Sequence, residues 1–232
     1  MRLSETFVER FKRKHSVIVG MTQSGKTFFA TRMLKRLQGQ GTHTIFIDPK
    51  GEVKNLGVVC RTIPELMKAL MAKERAIAYY TSLGQSDDLD RIVELLFAYK
   101  QKDGFQRIRR VIAIDEVQTF IGKGKSKAIE WIWTVGAGKG IIGMALTQRI
   151  QLLNETIWSQ SLNKVLFKME DRAQYLRSRN LDHYVDQLDF FSDPINEYYF
   201  YSTTGGNEWK VNQPLDNIDN NYSLDIKPPH IP

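Results

Sequence analysis

"GMTQSGKT", residues 20–27, decides how the rest of the chain is read. It fits the pattern G-x-x-x-x-G-K-[ST], which gives a loop that holds phosphate when it joins a strand to a helix. Both neighbours fit. The apolar run "HSVIVG" before it ends in glycine and predicts a buried strand feeding a turn. After it, Ala30, Met33, Leu34 and Leu37 recur at i, i+3, i+4 and i+7, so one face of a helix is apolar. Gly20, Met21, Thr22, Gln23, Ser24 and Gly25 would wrap the phosphates with backbone N–H groups, at the positive end of that helix. Lys26 would reach the β- and γ-phosphates, and the Thr27 hydroxyl would ligate Mg²⁺. The octet alone leaves a motor, a small-molecule kinase, a switch or a chance glycine-rich turn all open.

A second pattern narrows the choice. A phosphate loop needs an acid on a neighbouring strand to hold the metal shell, and two strands end in Asp: "TIFID", at Asp48, and "VIAID", at Asp115. Pro49 follows Asp48 and suits a turn, whereas Glu116 follows Asp115. An Asp beside the phosphates can hold the metal, through water, while a Glu one residue on orients and polarises an attacking water. Asp115 is therefore the metal acid, and Glu116 the general base. The alternative is a strand-terminal turn with two solvated acids. A kinase has no need of the Glu, because its substrate brings the nucleophile, so hydrolysis is favoured over transfer.

Strands and helices alternate across most of the chain. "THTIFID", "GVVC", "AIAYY", "RVIAIDE", "GIIGMALTQ" and "KVLFKM" predict strands. Thr62 and Glu65 have capping-box spacing and open a helix with Leu66, Met67 and Leu70 inward. "SDDLDRIVELLFAYKQK" is acidic at its start and basic at its end, as a helix dipole favours. "KAIEWIWTV" predicts a helix with Ala128, Trp131, Ile132 and Val135 on one face, and Ile129 with Trp133 beside it. This alternation implies a mostly parallel sheet covered by helices on both faces. Beyond residue 170 the pattern gives two short polar helices, then "EYYFYSTTGGNEWKV", two strand-like pieces around a Thr-Gly-Gly turn and so a C-terminal β-hairpin. Residues 1–15, with Phe7, Val8 and Phe11 at helical spacing, read as a basic N-terminal helix. Residues 16–212 read as one α/β domain, and 213–232 as an extended tail rich in Asn, Asp and Pro.

The 232 residues carry 33 Lys and Arg against 26 Asp and Glu, a formal charge of +7 that makes polyanions plausible partners. The sole cysteine, Cys60, sits in an apolar run and reads as a small buried hydrophobe. The four histidines have no metal-ligand spacing. The opening residues lack an apolar signal-peptide segment, and no window is apolar for the roughly 18 residues that a spanning helix needs. A chain that does not itself span a membrane is expected.

Taken in order, "GMTQSGKT", "TIFIDPKGE", "VIAIDE" and the strand ending in "LTQR" resemble the FtsK/HerA superfamily of DNA-pumping ATPases over roughly residues 15–170. The resemblance implies a RecA-like P-loop NTPase of the ASCE type, with an extra strand between the P-loop strand and the Asp-Glu strand. It also implies ATP and Mg²⁺ as cofactors, with Gln148 sensing the γ-phosphate or its water. Asp48 through Glu52 recur in the family and serve here as a recognition mark. A motor whose P-loop begins at residue 20 resembles the genome-packaging ATPases of membrane-containing icosahedral viruses. That implies double-stranded DNA as partner, a homo-oligomeric ring (pentamer or hexamer), docking on a capsid, portal or membrane protein, and a place in the host cytoplasm or at the virion's packaging vertex. Plasmid-mobilisation or repair translocases, and secretion ATPases acting on protein, are the alternatives.

One feature departs from the family. Relatives place an arginine just before the "TQ" strand to serve a neighbouring subunit, whereas "VGAGKGIIGMALTQR" has none there. Lys139 and Arg149 are the candidate trans-acting cations, with Arg177 and Arg179 behind them. For DNA, Lys123, Lys125 and Lys127 in "FIGKGKSKAIEW" are the candidate phosphate contacts, and Arg107, Arg109 and Arg110 form a second basic cluster. The alternative is a solvated charged loop.

Overall fold

The structure is a computed structural model that describes residues 4–81, 86–102, 109–121, 126–204 and 208–215. Helix α1 (Glu5–Arg13) starts at Ser4, whose hydroxyl accepts the N–H of Phe7. It buries Val8 and Phe11, and the rings of Phe7 and Phe11 lie 6.4 and 6.0 Å from that of Phe29. Strand β1 (Ser16–Val19) leads through the P-loop to α2 (Lys26–Gly39), where Ala30, Met33, Leu34 and Leu37 are fully buried as their spacing predicts.

Next come β2 (His43–Asp48), β3 (Val58–Cys60), α3 (Ile63–Met71), β4 (Ala76–Tyr80) and α4 (Ser86–Lys102). The capping box at Thr62 and Glu65 is present, and Cys60 is buried. Met67, expected inward, is 43% exposed, because only Leu66, Ala69 and Leu70 of α3 face the sheet. Strand β5 (Arg110–Ile114) and the short α5 (Gln118–Ile121) follow.

Helix α6 (Lys127–Glu130) runs into a π-helical turn, Trp131–Gly136, ahead of β6 (Ile141–Thr147). This corrects the expected apolar face at Val135 alone. The wider π winding turns Ala128, Ile129, Ile132 and Trp133 inward and leaves Val135 47% exposed. Close approach explains Gly143: a Cβ there would stand 2.6 Å from the Trp133 ring. The same ring donates from Nε1 to Ser161 Oγ at 2.9 Å and stacks on His15, whose Nδ1 accepts the Gly143 N–H at 2.9 Å.

Helix α7 (Glu155–Gln160), capped by Asn154, was not signalled by the sequence pattern; it is only six residues long. After β7 (Asn163–Leu166) come α8 (Ala173–Arg177), α9 (Asp182–Val185) and α10 (Leu188–Ser192), three short helices where two were expected. Strands β8 (Phe200–Thr204) and β9 (Lys210–Asn212) pair antiparallel as a hairpin.

Among the described residues one nine-stranded sheet has the order β3-β4-β2-β5-β6-β1-β7-β8-β9. Strands β1 to β7 pair in parallel, and β8 adds antiparallel to β7. Strand β6 is thus the extra strand between the P-loop strand and the Asp-Glu strand. Side chains alternate between two cores: Ile45 and Ile47 of β2 pack with α3 and α4, and Phe46 packs with α1 and α2. With both faces covered, ligand chemistry is left to the carboxyl ends of the parallel strands, where the P-loop, Asp115 and Gln148 all lie.

Candidate nucleotide site

The P-loop is tied to two strands before any ligand arrives. Gly20 N–H donates to Thr147 O at 3.2 Å, and Met21 N–H to Lys168 O at 2.8 Å. Gln23 and Gly25 take positive φ, 64° and 99°; at Gly25 the backbone turns into α2 with no side-chain cap, leaving that helix's first N–H groups for an anion. Thr22 and Gln23 are exposed. Ser24 Oγ is buried with no hydrogen-bond partner, an orphaned polar group in a loop shaped for phosphate. Lys26 is buried and donates from Nζ to Met21 O at 3.0 Å; burial pulls its ammonium below its usual range against the attraction of Glu116 and Asp115.

Across the sheet, the Thr27 hydroxyl donates to Asp115 Oδ2 at 3.3 Å. These are the two oxygens expected to share a Mg²⁺ ion, and 88 residues of sequence separate them. Burial and the neighbouring Glu116 push Asp115 up to about 6, so a divalent cation would find a carboxylate in need of a counter-charge. The donor set fits Mg²⁺, held by Thr27 and, through water, by Asp115. The ion's role would be to neutralise charge on the β- and γ-phosphates.

Glu116 is 3% exposed and sits at φ 47°, a conformation costing about 1–3 kcal/mol for a non-glycine residue. Asp115 Oδ1 accepts the Glu116 N–H at 2.9 Å and Thr119 N–H donates to Glu116 O at 2.8 Å, so the turn is held from both sides. Three donors converge on the carboxylate: Lys50 Nζ at 2.9 Å and Gln148 Nε2 at 2.5 Å on Oε1, and Gln118 Nε2 at 2.7 Å on Oε2. Burial alone would raise this carboxyl; Lys50 and the two amides outweigh it and hold Glu116 ionised. The adjacent acids are thereby set apart, one raised and one lowered.

Gln148 therefore rests on the base itself in this state of the site. Lys50 and Gln118 were not among the sequence candidates. The signal for Lys50 was Asp48-Pro49-Lys50-Gly51, an Asx-turn composition. Asp48 accepts N–H groups from Lys50 (3.0 Å), Gly51 (2.9 Å) and Val53 (2.9 Å), which aims the Lys50 loop at Glu116.

The remaining cations divide. Arg149 is exposed at the carboxyl edge of the sheet, near the site. Lys139 is exposed but precedes β6, at the opposite edge. Arg179 is held within the chain by Glu155 and by Leu153 O (2.8 Å), and Arg177 lies 3.6 Å from Asp182. Lys127 pairs with Glu94 at 3.2 Å and lies over the Trp131 ring. Arg110, expected in a basic cluster for DNA, is instead buried as the first residue of β5, beside His43, and cannot present its charge to a polymer; Arg109 is exposed. Lys123, Lys125 and Arg107 lie outside the described residues.

A family model described as the AAA domain matches residues 9–153. The chain belongs to the AAA domain family. It is a P-loop ATPase with a RecA-like α/β fold. No curated protein matches it significantly in sequence. Among solved structures it is similar to the genome packaging NTPase B204 from Sulfolobus turreted icosahedral virus 2 in complex with AMPPCP: TM-score 0.73, 16% identity, 89% of this chain and 100% of that one. It is also similar to VirB4 of Thermoanaerobacter pseudethanolicus: TM-score 0.64, 11% identity, 87% of this chain and 89% of that one. The conjugation coupling protein TcpA of pCW3 with ATPγS gives a TM-score of 0.53 at 14% identity, over 87% of this chain and 60% of that one. At these identities the likeness is one of fold. It agrees with the resemblance to the FtsK/HerA superfamily.

Proposed function

We propose that this AAA-family ATPase is a double-stranded DNA translocase that packages a viral genome as a homo-oligomeric ring, using ATP and Mg²⁺. The observation that carries this reading is the match in fold along the whole length of a viral genome packaging NTPase, by a chain with hydrolytic rather than transfer machinery. Gly20 through Thr27 hold the triphosphate, and Thr27 and Asp115 the metal. Glu116 takes the proton of the attacking water, and Gln148 passes the state of the γ-phosphate to that base. Lys123, Lys125 and Lys127 track the DNA backbone, where non-specific cation–phosphate contacts allow movement over any sequence. Lys139 or Arg149 serves a neighbour's nucleotide. The work is done in the host cytoplasm or at the virion's packaging vertex, with residues 213–232 docking on a capsid, portal or membrane protein. No helix among the described residues is long and apolar enough to cross a membrane.

The fold likeness to VirB4 and TcpA favours a second reading, a translocase or secretion ATPase of the conjugation type. Steady-state ATP hydrolysis with and without linear double-stranded DNA tests both. Packaging predicts stimulation of several-fold that is lost when Lys123, Lys125 and Lys127 are neutralised together, with nucleotide binding retained. Hydrolysis indifferent to DNA would sink the DNA reading and favour a protein substrate.

A further inference from the structure

One cation in the nucleotide site lies in a recognition motif to which the sequence assigned no role. Lys50 reaches Glu116 from a loop on β2, 66 residues away in sequence. Its backbone is anchored by the three N–H groups that Asp48 accepts. Its side chain, however, keeps 32% exposure, whereas that of Glu116 keeps 3%. An anchored loop with a flexible four-carbon stem allows the ammonium to change partner while the backbone stays fixed.

The charges around it give a reason to change. Lys26 and Lys50 face Asp115 and Glu116; Lys26 senses both carboxylates and the Lys50 ammonium, and Lys50 senses both carboxylates and Glu52 besides. While the site holds no nucleotide, the carboxylates are what these two cations have to neutralise, and Glu116 has Lys50 at 2.9 Å. A triphosphate carrying one Mg²⁺ brings further negative charge, concentrated on the γ-phosphoryl oxygens as the transition state forms. Glu116 Oε1, meanwhile, already accepts Lys50 and Gln148, and it must be available to a water O–H for hydrolysis to begin.

We propose that Lys50 is a catalytic cation supplied in cis: it neutralises Glu116 in the empty site and turns to the γ-phosphoryl oxygens when ATP is bound. The move frees Glu116. Water oxygen then forms a bond to the γ-phosphorus and the bond from that phosphorus to the bridging oxygen breaks, its electron pair leaving with ADP. The water proton passes to Glu116, and Lys50 gives up no proton. This step rests on the ATPase activity of the family and does not depend on what the motor moves.

The test compares wild type, Lys50→Met, Lys50→Gln and Lys50→Arg as full chains without DNA, reading kcat, KM and the affinity for a fluorescent non-hydrolysable ATP analogue. The Met and Gln variants are expected to lose kcat by on the order of 100-fold or more, as loss of a γ-phosphate cation does. Their analogue affinity should stay within about threefold, and Arg should recover at least about tenfold over Met. Hydrolysis by Lys50→Met at or above the wild-type rate would overturn the proposal and leave Lys50 a clamp on Glu116. Loss of analogue binding in both neutral variants would also overturn it, as would an Arg variant no faster than Met. A wild type that binds the analogue yet never hydrolyses ATP would overturn both this step and the ATPase assignment, which separates that failure from one confined to Lys50.

Discussion

Thr27 Oγ1 donates to Oδ2 of Asp115 at 3.3 Å, so the first turn of α2 and the end of β5 meet at the two side chains that would hold Mg²⁺, Asp115 through water. Asp115→Asn keeps the shape and removes the charge. It is expected to lower Mg²⁺-dependent hydrolysis by at least about 100-fold and to flatten the Mg²⁺ dependence of nucleotide binding. Because burial raises Asp115, the Asn variant should melt no lower than wild type. A lower melting temperature would contradict the burial argument.

Glu116→Gln should bind ATP as wild type does and turn it over at least about 100-fold more slowly, since an amide cannot take the water's proton. Single-turnover hydrolysis beside analogue binding measures the two separately. An active Gln variant would remove Glu116 from the role of base.

Asp48→Ala leaves the N–H groups of Lys50, Gly51 and Val53 without their acceptor. A loss of about 2–4 kcal/mol in urea unfolding is expected, along with slower hydrolysis, because Lys50 is no longer aimed. Asp48→Asn retains one acceptor oxygen and should lose less. An Ala variant as stable as wild type would show that the loop holds itself.

His15 makes stability depend on pH. Burial, with Lys14 adding to it, lowers this imidazole to about 4 from 6.5. Above about 6.5 it is neutral folded or unfolded, and its neutral contacts count in full. As pH falls from 6.5 towards 4 the unfolded chain takes up a proton that the folded chain refuses, so stability drops, by about 2 kcal/mol at pH 5. Urea midpoints at pH 7.5 and 5 should show this loss in wild type and not in His15→Gln. Equal losses in both would place the pH sensitivity elsewhere.

What could be read from the sequence was what is local. The P-loop, the α2 stripe and the capping box at Thr62 are each written within a dozen residues, and the structure keeps them. The Asp-Glu strand end was legible for the same reason. The clamp on Glu116 was not, because Lys50, Gln118 and Gln148 come from three chain segments that only the order of β2, β5 and β6 brings together. Arg110 looked like surface charge because nothing local says that the sheet buries its first residue. Val135 was misplaced by a 3.6-residue period applied to a turn that winds wider.

Strand β6 has a direction, and if Lys139 is the trans-acting cation proposed above, that direction constrains assembly. Its seven residues run from Lys139's side to the P-loop's side, roughly 20 Å at about 3.3 Å per residue. A lysine at the starting end can help cleave a phosphate only in another copy, whose opposite end it meets. Repeated head to tail, such contacts wind into a closed circle or run on as a fibre, whereas a two-fold pair makes the same contact twice, with its two sheets antiparallel.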